Sequence, residues 1–311
     1  MRMETLVEIR GLNVMFPTFD GGFRAIKDLD LDIHSGDKIA IMGESGCGKS
    51  VLGHSIMGLL ADISVTTGSI MFMGKEIVGA KRSTLNSLRG SKVALVPQSP
   101  STALDPVMKV GMQIDEMFWK VGIPKKEASE RSKKKLGALG FKDPDAIYST
   151  YPHRLSGGMC ERAVIAMGTA LDPELLIADE PTKGLDPAIK IETLKNLYSN
   201  CANKTLMMIT HDYYAAQICN RVCIMYRGEM VEDGNWKEVL TNPSHPYVRG
   251  LWSSLPKNGM VPINDPLRVV PDGGCGFGDR CGSYSERCNG KQKMITESDG
   301  HYVRCWRAGI E

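Results

Sequence analysis

The chain has 311 residues, 38 basic and 36 acidic, for a formal net charge of +2. That near balance excludes a protein built to blanket nucleic acid, and a hydrophobic content of 42% suits a packed globular core. Apolar stretches such as Thr205–Ile209 fall far short of the roughly 18 residues of a membrane span, and the N-terminal MRMETLVEIRGL has no signal-peptide apolar region, so a cytosolic protein is expected.

Val7–Phe16 reads as a strand, and Ala25–Ile33 as another, its apolar residues alternating in the later part. PTFDGGF lies between them as a turn or loop. Lys38–Gly43 is a short apolar strand that runs into a glycine-rich loop. A helix is expected from Lys49, with Leu52, Ile56, Leu59 and Leu60 on one face. Gly68–Ile77 reads as a strand and turn, and Lys92–Gln98 as a strand ending in a polar residue. From about Ser101 to Pro152 the chain turns rich in Lys, Glu, Met and Ala, and several helices are expected there. LSGGMCERAVIAMGTAL opens a further helix with Ser156 at its start. ELLIADE and TLMMITHD are apolar strands, and RVCIMYRGEMVEDG is a hairpin turned at Arg227-Gly228. After HPYVRGLWSSLP the composition shifts to Gly, Pro, Asn and Cys, with a tail boundary near Pro256. Strands alternating with helices around a glycine-rich loop imply an α/β chain with a mostly parallel sheet and covering helices.

Gly43, Glu44, Ser45, Gly46, Cys47, Gly48, Lys49 and Ser50 fit G-x-x-x-x-G-K-[ST]. The glycines let backbone N–H groups curl around phosphate oxygens, and the following helix adds its positive N-terminal dipole. Lys49 is placed to reach the β- and γ-phosphates, Ser50 to ligate Mg²⁺, and Cys47 to act as a small filler. Asp179 ends an apolar strand, where a Mg²⁺ partner is needed. Glu180 follows it and is placed to polarise an attacking water. Either carboxylate alone would be read as an ordinary acidic strand end; the phosphate loop changes that balance. Ser156, Gly157 and Gly158 open a helix, so their N–H groups and the serine hydroxyl form a second anion site. A chain that already grips its own nucleotide has use for such a site in capping a nucleotide held by another subunit.

This order of motifs, GESGCGKS, LSGGM, LLIADE, GLD and ITHD, resembles the ATP-binding subunits of ABC transporters. Val96–Glu116, YPHRLSGGM, LLIADEPTKGLDP and HPYVRGLWSSLP narrow the likeness to importers of oligopeptides, dipeptides and nickel. Arg154, Cys160, Glu161 and Lys183-Gly184 depart from the usual pattern of that branch. The resemblance implies a P-loop ATPase core, an antiparallel N-terminal β subdomain, a helical subdomain at about 101–172 within an ATPase domain of residues 1–255, and a Cys-rich tail over 256–311. It implies an ATPase, with Gln98 sensing Mg²⁺ and the attacking water and His211 contacting the γ-phosphate. It implies Asp186, in the GLD motif, beside the nucleotide. It further implies partners: a second ABC ATPase, identical or similar, in a head-to-tail dimer with two sandwiched ATP; two transmembrane permeases; and a solute-binding protein. The place of work would be the cytoplasmic face of the membrane, peripherally, with no nucleic acid as partner.

An adenine base needs an aromatic or apolar platform. Phe16, Phe19 and Phe23 lie in the right region, with Phe19 favoured. The tail carries Cys275, Cys281, Cys288 and Cys305 in C-x5-C-x6-C-x16-C, which is neither zinc-ribbon nor ferredoxin spacing. Four soft ligands in a reducing compartment favour metal over disulfides. The resemblance favours a [4Fe–4S] cluster, with zinc or plain reduced thiols as the other readings. The rival function is a soluble ABC ATPase acting on nucleic acid or ribosomes, although such proteins commonly carry coiled coils or two ATPase halves, and neither is present.

Overall fold

The computed structural model describes residues 4–19 and 21–308. Their backbone separates into two compact units. One, the loop unit, is built from Leu6–Ile33, Ile39–Val78 and the chain from Thr210 onward. The other, the helix-rich unit, is built from His34–Lys38 and Gly79–Ile209.

The loop unit starts with β1 (Thr5–Phe16), β2 (Phe23–His34), the wholly buried β3 (Lys38–Met42), α1 (Lys49–Ile56), β4 (Val65–Phe72) and β5 (Lys75–Glu76). Four of these strands form a sheet in the order β2-β1-β4-β5, with β1–β4 and β4–β5 antiparallel. Val7 and Ile9 point into the core, then Leu12 and Val14. The inward set jumps by three residues instead of two because the β1–β4 register shifts between Arg10 and Asn13. A bulge inserts one residue there and preserves the buried face on both sides. Helix α1 is shorter than its sequence suggests. It stops at Ile56, so Leu59 lies beyond it and is exposed, and Leu60 is outside the helix as well. Gly58 follows with a left-handed φ of 60°, which breaks the helix.

The helix-rich unit holds α2 (Arg82–Leu88), β6 (Val93–Val96), α3 (Pro100–Ala103), α4 (Val110–Trp119), α5 (Lys125–Ala138), α6 (Pro144–Tyr148), α7 (Gly157–Gly168), β7 (Leu175–Asp179), α8 (Pro187–Asn200) and β8 (Thr205–Ile209). Strands β6, β7 and β8 run parallel, in register Val93↔Leu175 and Leu175↔Thr205. Both β7 and β8 are buried at every position, as strands covered on two faces must be.

The loop unit resumes with α9 (Tyr213–Ala216), β9 (Arg221–Tyr226), β10 (Glu229–Asn235), α10 (Trp236–Thr241), α11 (Pro246–Ser253), β11 (Ile295–Ser298) and β12 (His301–Val303). Strand β9 is parallel to β3, and β10 folds back antiparallel at Arg227-Gly228 as the turn residues require. The Cys-rich tail is not a loose appendix. Its β12 pairs with β10, Glu232 opposite Val303, and β11 pairs with β12. These strands are three and four residues long, too short for periodicity to reveal.

Candidate functional site

In the loop unit, β3 delivers the chain into the phosphate loop with Gly43 at φ 148° and Gly48 at φ 107°. A Cβ on Gly43 would lie 2.1 Å from the Met225 carbonyl oxygen, and one on Gly48 would lie 2.4 Å from that of Ala25. Only glycine fits either place, on conformation and on space. Cys47 is buried, and burial raises its thiol above the ordinary range, so it stays neutral and fills space as expected. Lys49 is 8% exposed, and its ammonium donates to the carbonyls of Gly43 (2.8 Å) and Glu44 (2.9 Å), which hold the charge within the loop. Ser50 follows in the first turn of α1, where N–H groups and helix dipole favour an anion.

His211 belongs to the same unit. The strand read as TLMMITHD ends at Ile209, short of His211, and Thr210 donates its N–H to the Ile41 carbonyl at 3.0 Å. Asp212 donates its N–H to the Thr210 hydroxyl and caps α9 through Tyr214 N–H. The His211 side chain is left exposed between two pinned neighbours. Phe19 is also wholly exposed, and Phe23, at 55%, largely so.

In the helix-rich unit, Asp179 is the last residue of β7, as expected, and is buried. Glu180 follows with a left-handed φ of 49° while its N–H donates to the Ile209 carbonyl at 2.8 Å. That conformation is strained for a non-glycine residue, and strain of this kind gathers at working sites. Gln98 lies two residues past the end of β6 and is exposed. Asp186 precedes α8, exposed, and its carbonyl accepts from Lys190 N–H. Ser156 caps α7 by accepting from Met159 N–H, at a long 3.4 Å. Ser156 and Gly157 are exposed and Gly158 is buried. A Cβ at Gly158 would lie 2.8 Å from Cγ2 of Ile189, whereas one at Gly157 would meet nothing within 4 Å. The chain's own packing explains Gly158 and leaves Gly157 unexplained. One turn into α7, Glu161 is 3% exposed, with Oε1 lacking a hydrogen-bond partner. Burial pushes its carboxyl up to about 8, so it is mostly protonated at neutral pH.

The tail cysteines come together. Cys275, Cys281, Cys288 and Cys305 line one small cavity with Phe277 and Trp306. Cys275 N–H donates to the Cys288 carbonyl at 2.8 Å, and Trp306 Nε1–H to the Cys288 sulfur at 3.3 Å. Burial raises the Cys275 thiol to about 12 and lifts those of Cys281 and Cys305. Among the described residues no three His, Cys, Asp or Glu side chains stand close enough to hold a single metal ion. His301 is not among the cavity's lining residues; it pairs with the buried Glu232 at 2.9 Å and is structural.

Sequence reasoning missed the surroundings of Glu44. Its N–H donates to the Tyr247 hydroxyl at 3.1 Å, and its carboxylate faces Arg280 of the tail at 3.4 Å. HPYVRG carried the only signal, as a likeness with no role attached. Among the described residues, no helix is long and apolar enough to cross a membrane.

Residues 26–183 match the ABC transporter family, and residues 231–288 match the oligopeptide/dipeptide transporter C-terminal region. The chain is 38% identical to a dipeptide transport ATP-binding protein of Bacillus subtilis (strain 168), over 98% of this chain and 95% of the relative. It is 37% identical to an oligopeptide transport ATP-binding protein of Haemophilus influenzae, over 98% of both. Among solved structures, it is similar to an ATP-binding cassette in a dimeric post-hydrolysis state bound to ADP and Pi, with TM-score 0.67, 24% identity, and coverage of 74% of this chain and 98% of that one. A component of an ABC transporter complex from Clostridium perfringens aligns with TM-score 0.66 and 28% identity, over 77% and 92%.

Proposed function

The chain belongs to the ABC transporter ATP-binding family and carries its oligopeptide/dipeptide C-terminal region, and on that premise we propose that it hydrolyses ATP to energise a binding-protein-dependent importer of di- or oligopeptides. The observation that carries the reading is the phosphate loop itself. Two glycines admit no other residue, and a nearly buried ammonium is held at the loop's carbonyls.

Lys49 binds the β- and γ-phosphates, and Gly43–Ser50 surround them with N–H groups. Ser50, Gln98 and Asp179 are hard oxygen donors that suit Mg²⁺, which when bound neutralises phosphate charge. Glu180 orients and polarises the attacking water, His211 contacts the γ-phosphate, and Asp186 lies beside it. Phe19, exposed and otherwise unemployed, is the platform for adenine. Ser156, Gly157 and Gly158 cap a nucleotide held by a second ABC ATPase, and the open space at Gly157 supports this assignment. The remaining partners are two permeases and a solute-binding protein, with this subunit peripheral at the cytoplasmic membrane face. Peptide transport is what the two relatives are named for, which favours peptides over nickel. The nucleic-acid or ribosome reading gains no support from them.

Cys275, Cys281, Cys288 and Cys305 are the residues that would hold a [4Fe–4S] cluster. What supports it is that the four sulfurs, soft ligands, line one small cavity. Bound there, it would staple a polar tail with little core of its own. Anaerobically purified protein is then brown, with iron and acid-labile sulfide in equal amounts; colourless protein with four titrating tail thiols ends this part of the reading.

Glu180→Gln tests the main reading. The variant keeps the side chain's shape and loses the group that polarises water, so ATP still binds, turnover falls at least about a hundredfold, and a dimer persists in ATP and Mg²⁺ on size exclusion. Undiminished hydrolysis would remove Glu180 from its role.

A further inference from the structure

Glu44 is fixed at three of its groups. Its N–H goes to the Tyr247 hydroxyl at 3.1 Å, its carbonyl takes the Lys49 ammonium at 2.9 Å, and its carboxylate meets Arg280 at 3.4 Å. Lys49 is the charge assigned to the phosphates, so whatever fixes Glu44 also fixes the carbonyl on which that ammonium rests. Two of the three holds come from outside the loop: Tyr247 from α11 and Arg280 from the tail.

Arg280 is itself held in place. Its Nε–H donates to the Asn264 carbonyl at 2.8 Å, and Nη1, the nitrogen that meets Glu44, also donates to the Tyr226 hydroxyl at 3.4 Å. Cys281, the next residue, lines the thiol cavity. Phe277 lines the same cavity and meets the rings of Tyr226 and Tyr247 at 5.3 and 5.5 Å between centroids. A second route runs through the β9–β10 turn. Gly228 N–H donates to the Cys47 carbonyl of the loop at 2.9 Å, while Arg227 reaches the tail at the Gly276 carbonyl and at Asp279, 2.8 Å away. Neither route uses a residue assigned to hydrolysis.

We propose that the Cys-rich tail is a clamp on the phosphate loop, in which Arg280 is a positioning residue that sets nucleotide affinity through Glu44. The proposal rests on the ATPase reading and adds to it a part for the tail beyond stapling. Linkage then requires reciprocity: a tail that tightens the loop for nucleotide is itself tightened by nucleotide.

The test uses the full chain and two readouts. Titration with ADP and with ATP, without turnover, should show the dissociation constant rising about two- to fivefold in Arg280→Ala, the range a partly exposed charge pair commands, with Arg280→Lys restoring most of it. In Arg280→Ala combined with Glu44→Gln the two losses should not add, because both remove one contact. In hydrogen exchange, nucleotide should slow the backbone amides of residues 275–288 in the wild type and no longer do so in Arg280→Ala, at an unchanged unfolding midpoint. An Arg280→Ala chain that keeps wild-type affinity overturns the clamp. So does a wild-type tail whose exchange ignores bound nucleotide. If the wild-type chain binds neither nucleotide, the ATPase reading falls together with the clamp; if it binds them and Arg280 is silent, only the clamp falls.

Discussion

The phosphate loop and the Ser156–Gly158 turn both place glycines at the start of a helix, and they are finished to different degrees. In the phosphate loop, Gly43 and Gly48 are dictated by the Met225 and Ala25 carbonyls, the lysine is held, and α11 and the tail reach in to hold Glu44. In the turn, Gly158 answers to Ile189, while a Cβ at Gly157 would meet nothing within 4 Å and the exposed Ser156 caps its own helix at Met159 N–H. A site completed within its own chain serves that chain's ligand. On the proposed reading, the open glycine leaves room for the nucleotide of a second subunit.

Glycine replacement breaks the comparison at its strongest point first. Gly43→Ala forces a Cβ against a backbone oxygen at a left-handed φ, and should lose about 3 kcal/mol of unfolding free energy together with measurable nucleotide binding. Denaturant titration and ADP binding read both effects. An alanine tolerated there would mean the loop is looser than its geometry.

Glu161, in the helix that the open turn begins, gives the next effect and carries a sign in pH. Its carboxyl is raised by burial from 4.5 to about 8, so the native chain holds that proton more tightly than the unfolded chain. Its contribution to stability is therefore whole below about pH 4.5 and declines as pH rises toward 8. Glu161→Gln should match the wild type near pH 4.5 and exceed it by roughly 1–3 kcal/mol at pH 8.5. Parallel pH profiles of the two unfolding midpoints would show that the carboxyl is solvated.

The two glycines of the turn should then part company. Gly158→Ala must displace Ile189 and should lose about 1–2 kcal/mol. Gly157→Ala has room and an ordinary helical backbone, so its stability should stay within about 0.5 kcal/mol of wild type while ATPase activity in the assembled transporter falls at least about tenfold. Equal stability losses at both positions, or full activity in Gly157→Ala, would remove the distinction between a glycine kept for packing and one kept for a partner.

The motifs that carry chemistry were legible because each is local. A buried strand, a tight turn and a helix start place Gly43–Ser50 within eight residues, and the ends of β7 and α7's cap are equally short-range, so Asp179 and Ser156 fall where their spacing puts them. The ends of elements are less legible, because an apolar pattern runs on past the residue that stops the element. TLMMITHD keeps its apolar run close to its end, yet β8 stops at Ile209. Leu59 and Leu60 continue the apolar face of the first helix, and a left-handed Gly58 ends it sooner.

By itself the sequence determined the α/β pattern, the phosphate loop, the acidic pair after an apolar strand, and four cysteines near the C-terminal end. It could do so because hydrophobic period and turn chemistry act between neighbours. Only the tertiary structure decided that β12 joins β10, that Glu161 is a buried acid, and that Arg280 stands against Glu44, 236 residues away along the chain. Burial and ion pairing are set by what folds against a residue, and no local pattern of charge or hydropathy records the identity of that neighbour.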